Sequence, residues 1–174
     1  MAFSFFKKSD KKSEAAKPET TTVPRYHGLP VKDIVQETRD AISLVFSQPP
    51  AKISYKAGQF LTLIVPIGGK EVRRAYSLCT SPFTDDDLAV MVKRVENGLM
   101  SNWLADNLKV GDVIKIMDPM GHFTTEYRAD NKRHIIMFAG GSGITPMMSL
   151  IKSTLTQEPE SIVSLIYCNR DIDS

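Results

Sequence analysis

From Pro24 to about residue 130 the chain alternates short apolar runs with turn residues. The runs are Val31 to Glu37, Ala41 to Phe46, Gln59 to Val65, Ala75 to Leu78, Leu88 to Val95 and Val113 to Met117. Short β-rich runs between turn clusters, with no long helical period, predict a β-sandwich or small barrel. Gly68-Gly69 marks a tight hairpin, and Pro82 with Asp85-Asp86-Asp87 marks a longer loop. One helix is predicted at Ser101 to Leu108, with Ser101 as its N-cap and Trp103, Leu104 and Leu108 facing inward. From Arg133 the rhythm changes: an apolar run ending at Ala139, a glycine turn, a helix to about Leu155 carrying Met147 and Met148 in its core face, and a strand from Ile162 to Tyr167. That order is a βαβ unit opening a parallel sheet. Two parallel strands leave apolar surface uncovered, so this second unit reads as incomplete.

Composition narrows the class. The chain has 174 residues, is 42% hydrophobic and carries a formal charge of only +2, enough for a real core and without a basic face for nucleic acid. Residues 1–23 are rich in Lys, Glu, Ser, Thr and Pro and read as a disordered tail; Phe3, Phe5 and Phe6 precede the charges, unlike a secretory signal. No run has the length of a membrane span. Cys79 and Cys168 lack metal-ligand spacing and read as reduced thiols, which places the chain in the cytoplasm.

Three motifs carry candidate chemistry. Gly140-Gly141-Ser142-Gly143-Ile144-Thr145-Pro146 joins a strand to a helix. Its glycines allow a sharp turn and close approach, and the helix start offers N–H groups and positive dipole to a pyrophosphate. Pro146 suits a first helical turn. Arg74-Ala75-Tyr76-Ser77 lies on a strand with Arg74 and Tyr76 on one face, a phosphate fork beside a ring that can stack on a flat heterocycle. Gly98-Leu99-Met100-Ser101 follows Lys93-Arg94 and offers a second set of N–H donors. Each motif alone also has a plain structural reading: a glycine-rich turn, an edge strand with a surface arginine, and an N-capped turn. His122 and His134 read as loop and strand-edge residues.

In this order the three motifs resemble the ferredoxin-NADP⁺ reductase superfamily, from about Pro24 to the end of the chain. Asp118-Pro119-Met120-Gly121-His122-Phe123 and Tyr167-Cys168-Asn169-Arg170 add to the likeness. Within the superfamily, Arg-Ala-Tyr-Ser-Leu and the Asn-Arg ending look most like the reductases of phenylacetyl-CoA and ketosteroid oxygenases. The resemblance implies a six-stranded antiparallel Greek-key flavin-binding barrel over residues 24–130. Residues 131–174 would be the N-terminal portion of an NAD(P)-binding α/β domain. It implies FAD, with Arg74 on the flavin phosphates, Tyr76 against the isoalloxazine, Ser77 near the reactive flavin nitrogen and Ala75 among the residues that bind the cofactor. Val92, Lys93 and Arg94 would line the flavin through their backbone, and Gly98, Leu99, Met100 and Ser101 would surround its pyrophosphate. Gly140, Gly141, Gly143, Thr145 and Pro146 would receive the nicotinamide nucleotide, with Thr145 near the nicotinamide. Arg170 stands where the adenosine ribose or its 2′-phosphate is read, or is a strand-end arginine in solvent. Ser77, Tyr76 and Thr145 are thus the residues nearest the chemistry. Function follows as electron transfer from NAD(P)H through FAD to a redox protein, a ferredoxin-like domain or oxygenase component. The alternative is a non-catalytic flavin-binding module. A [2Fe-2S] cluster is implied only outside these residues, because its Cys-x₄-Cys-x₂-Cys spacing is absent from them.

Overall fold

The structure, a computed structural model, describes residues 25–170; the expected tail at 1–23 lies outside them. The first half forms six strands: β1 (Tyr26–Thr38), β2 (Ala41–Phe46), β3 (Phe60–Ile67), β4 (Lys70–Ser77), β5 (Leu88–Lys93) and β6 (Val113–Met117). They lie in the order β4-β3-β6-β1-β2-β5, every neighbour antiparallel. The edge strands close on each other where Leu78 bridges Val90 and the Cys79 N–H donates to the Ala89 carbonyl at 2.9 Å. That closure makes the expected barrel and leaves few free edge groups. Leu44, Phe46, Leu63, Leu88, Val90 and Ile116 fill it, each without solvent exposure.

Two barrel strands begin well before the sequence indicates, while β3 runs on to Ile67 and β5 stops at Lys93. β1 begins at Tyr26 rather than Val31 because it serves two neighbours: residues 26–30 pair with β6, and those from Val31 on pair with β2, with register shifts between Val31 and Asp33 and between Gln36 and Thr38. Pro30 tolerates this as it stands at the changeover. β4 begins at Lys70, since the β3–β4 hairpin turns on Gly68 and Gly69 with φ of 58° and 75° and pairs Ile67 with Lys70. Positive φ at both central residues is the mirror-type turn that strand twist favours. The first helix, α1 (Leu99–Asn107), starts two residues before the expected Ser101. Its N-cap is Gly98, and Ser101 lies inside it, buried, its Oγ accepting the Val95 N–H at 3.2 Å.

The second half is the expected strand, turn, helix and strand: β7 (His134–Gly140), a single 3-10 turn (Gly141–Gly143), α2 (Ile144–Gln157) and β8 (Ile162–Cys168), with β7 and β8 parallel. Met147, Leu150 and Ile151 of α2 pack with Met137, Ile135 and Val163, whereas Met148 is exposed rather than in the core. The other sheet side is open, with Ile136 56% and Phe138 68% exposed. Glu158, at the C-cap of α2, is fully buried and held by Arg133, Asn131 and Ser161. Among the described residues no helix is long and apolar enough to cross a membrane.

Candidate functional site

The barrel and the βαβ unit face each other across a cleft of about 820 Å³. Its barrel wall is the end of β4 (Ala75, Tyr76, Ser77), the last residue of β5 (Lys93) and Arg94 just after it. The opposite wall is the glycine turn (Gly140, Gly141, Ser142), Thr145, and the end of β8 through Arg170. The cleft therefore lies at the carboxyl ends of the parallel strands, where open α/β sheets place their ligands.

The glycine turn is built from its own bonds. Gly141 sits at φ +49°, its carbonyl accepting the Tyr167 hydroxyl at 3.2 Å, and Thr145 Oγ1 donates back to the Ser142 carbonyl at 2.9 Å. Gly143 is different: its φ of −62° suits any residue, and a Cβ there would meet nothing within 4 Å. Neither backbone strain nor packing requires a glycine at this position, so what it provides is open backbone beside a helix start. Both α1 and α2 begin with glycine at the N-cap, no side-chain cap and no acid in the first turn. The leading N–H groups of α1 are unpaired within the helix and suited to anions, whereas at α2 the Ile144 N–H donates to the Gly141 and Ser142 carbonyls and Pro146 has none, so there the positive helix end is the main attraction.

On the barrel wall Tyr76 is half-buried. Burial pushes its phenol up, and the neighbouring Arg74 guanidinium partly offsets this. Arg74 is exposed and does not itself line the cleft; among the described residues its Nη1 donates only to the Arg73 carbonyl, at 2.7 Å. The Arg94 guanidinium is engaged with α1, donating to Asp106 (2.5 Å) and Asn102 (3.4 Å), while its N–H donates to the Asp40 carbonyl at 2.7 Å. Val92 and Met100 turn their side chains into the core, so only their backbone is available. Gly98 to Ser101 begin two residues after the wall residue Glu96 and do not line the cleft, nor do Gly143, the last residue of the turn, and Pro146. The cleft also contains residues the motifs did not indicate: Asp40, whose carboxylate lies 3.7 Å from Lys93 Nζ, along with Glu96 and Asn169. Asp40 comes from the β1–β2 turn, and only the register of β2 on β5 brings it there.

Residues 28–125 match the family of oxidoreductase FAD-binding domains, more than half of the chain. The chain belongs to that family. Residues 137–174 match the oxidoreductase NAD-binding domain. The chain is 44% identical over 160 residues to the ferredoxin reductase component of 3-ketosteroid-9-alpha-monooxygenase from Rhodococcus rhodochrous, covering 87% of this chain and 44% of that protein. It is 39% identical over 152 residues to a component of the 1,2-phenylacetyl-CoA epoxidase from Escherichia coli (strain K12), covering 86% and 42%. Among solved structures it is similar to phthalate dioxygenase reductase, described as modular for electron transfer from pyridine nucleotides to [2Fe-2S]. There the TM-score is 0.73 at 31% identity, over 85% of this chain and 45% of that one. The chain thus spans less than half the length of the two curated relatives.

Proposed function

We propose that the chain is the flavin-binding barrel and first nucleotide-binding unit of an NAD(P)H-dependent flavoprotein reductase. Residues 24–130 hold FAD, and residues 131–174 form the start of the unit that receives the nicotinamide nucleotide. The reading is carried by one cleft in which the Ala75–Tyr76–Ser77 strand end and the glycine turn face each other. The residues present fit both ligands. The cleft has the volume of a cofactor site, Gly143 leaves space that a Cβ would fill, and two uncapped helix starts can meet phosphates.

FAD, when bound, supplies the redox chemistry, accepting a hydride and releasing electrons singly. The chain's own residues bind and orient. Tyr76 and Ala75 offer a flat apolar surface, Ser77 a hydroxyl at the strand end, and Arg74 a guanidinium engaged only with a backbone carbonyl among the described residues. Backbone of Val92, Lys93 and Arg94 and the α1 start from Gly98 to Ser101 hold the remainder of the flavin nucleotide. Gly140, Gly141, Gly143, Thr145 and Pro146 receive the nicotinamide nucleotide, and Arg170 reads its adenosine side. The acceptor is a redox protein of the kind the relatives' names specify, a ferredoxin or oxygenase component, and any [2Fe-2S] cluster is held outside these residues. The two free thiols, Cys79 and Cys168, suit the cytoplasm. The exposed Ile136 and Phe138 favour a second reading, a flavin module whose nucleotide unit needs further cover before it turns over.

Anaerobic absorbance spectra of the purified chain with FAD, before and after NADPH or NADH, test the proposal. Retained flavin that bleaches supports reductase function. Retained flavin that does not bleach supports the module, and a folded chain that never retains flavin overturns both.

A further inference from the structure

The face of α2 turned to the barrel carries buried hydroxyls beside the apolar contact that Leu150 makes with Ala57. Thr145, Ser149 and Ser153, four residues apart and so on one side of the helix, are 4%, 0% and 0% exposed. Ser149 Oγ donates to the Thr80 carbonyl at 2.5 Å and accepts the Gly58 N–H at 3.4 Å. One turn further on, Ser153 Oγ donates to Ser81 Oγ at 2.8 Å. Between them Lys152 Nζ reaches both Asp85 oxygens at 3.2 Å, while Asp85 also accepts the Ser81 N–H at 2.7 Å. The barrel groups so gripped are themselves fixed. Thr80 Oγ1 accepts the Tyr55 hydroxyl at 3.0 Å, and Gly58 lies so close to the Phe123 carbonyl that a Cβ would come within 1.9 Å of it.

These contacts join the two cleft walls by a short path. Thr80 is three residues beyond Ser77 on one wall, and Ser149 is one helical turn beyond Thr145 on the other. An apolar seam would tolerate sliding, because hydrophobic contact is non-directional. Hydrogen bonds weaken steeply when misaligned and so fix a register. We propose that Ser149 and Ser153 are positioning residues, a buried hydroxyl latch that locks α2 onto the Thr80–Ser81 loop and thereby sets the width of the cleft. Its consequence for hydride transfer rests on the reading in the preceding section; the latch itself does not.

The test measures the width directly. Nitroxide labels are placed on the exposed native Cys168 and on R39C beside Asp40, in a C79A background, and the distance between them is read by double electron–electron resonance. With the latch intact the distribution is narrow. In S149A, and separately in S153A should the first fold poorly, it broadens and shifts outward. Flavin absorbance persists, and bleaching by NADPH slows about tenfold, as expected of a small misplacement of reacting groups. An unchanged distance distribution in folded S149A and S153A overturns the latch, whatever the bleaching does. A broadened distribution in a chain that never bleaches, even without substitution, upholds the latch and counts against the reductase reading instead.

Discussion

Replacing Arg133 by methionine tests the anchor at the foot of the βαβ unit, opposite the glycine turn. Burial alone would push the Glu158 carboxyl up. Bonds from Arg133 Nε (3.0 Å), Asn131 Nδ2 (2.7 Å) and Ser161 Oγ (2.8 Å) outweigh it and hold the group down at about 2, against an ordinary 4.5. Each pK unit corresponds to about 1.4 kcal/mol, so the whole depression is worth about 3 kcal/mol of folding stability to the ionised form. R133M leaves the carboxylate buried with two neutral partners. Breaking a fully buried pair costs about 3 to 5 kcal/mol. The Arg133 side chain is 36% exposed and partly screened by water, so we expect about 2 to 3 kcal/mol at neutral pH. The sign follows from linkage: a carboxyl depressed in the folded state stabilises above its unfolded pKa, and that gain fades as pH falls from about 4.5 towards about 2. Urea unfolding of both proteins over a pH series should show a gap that is full at neutral pH and closes across that window. A gap that stays constant with pH, or that is below about 0.5 kcal/mol at neutral pH, would refute the assignment of Arg133 as the main counter-charge.

Other substitutions separate binding from folding. G143A should leave the melting temperature unchanged or raised, since its φ of −62° suits alanine and such changes stabilise by about 0.4 to 1 kcal/mol. Binding of NADPH or NADH should weaken about tenfold by titration, because the new methyl occupies open backbone; full affinity would remove Gly143 from the site. R74A should lose FAD, read as flavin absorbance per chain after gel filtration, with an unaltered urea midpoint, because its guanidinium bonds only to the Arg73 carbonyl among the described residues. Retained flavin would return the strand to a purely structural role. Burial pushes the Tyr55 phenol up to about 12 despite its bond to Thr80. A raised phenol favours folding below its unfolded pKa near 10, and that contribution is lost as pH rises through about 12. Ultraviolet titration of Y55F should therefore lack the latest-titrating phenol, and the same late phase in Y55F would assign it to another tyrosine.

The fold was legible where one face of a strand is buried and the other is not. Val113 to Met117 alternates in this way and has the bounds its pattern indicates, and Ala41 to Phe46, buried on both faces, is legible as a short continuous apolar run. The strands read too short, β1 and β4, are those whose missing halves are charged or carry Gly28 and Pro30. Their pairing is held by backbone groups, which leave no hydrophobic period to read. Ser101 has the sequence signature of a cap because hydroxyls are favoured at helix starts. Here Gly98 opens the helix, since a Cβ at that position would lie 2.6 Å from Ser101 Oγ, and the hydroxyl turns back to the Val95 N–H instead.

The site shows the same limit in another form. Its glycines and the Arg74 to Ser77 strand stand together in sequence because each binds through one local turn or strand end, and such a unit is visible in a run of residues. Asp40 and Asn169 belong to the cleft only through strand register and the β8 end, which no local pattern records. The hydroxyl stripe of α2 is the subtler case. Thr145, Ser149 and Ser153 have helical spacing that was open to inspection, but small polar residues on one helix face ordinarily mean solvent. The Thr80 carbonyl and the Ser81 hydroxyl, brought by the closure of β4 onto β5, turn that face inward together with the Gly58 N–H. Meanwhile Met148 and Leu155 of the same helix stay exposed. One helix therefore meets its neighbours by two kinds of force: hydrocarbon, which packs it on its own sheet and against Ala57 of the barrel, and directional bonds, which tie it to the Thr80–Ser81 loop. The second kind is what an arrangement needs when two ligands must meet across a gap of fixed width.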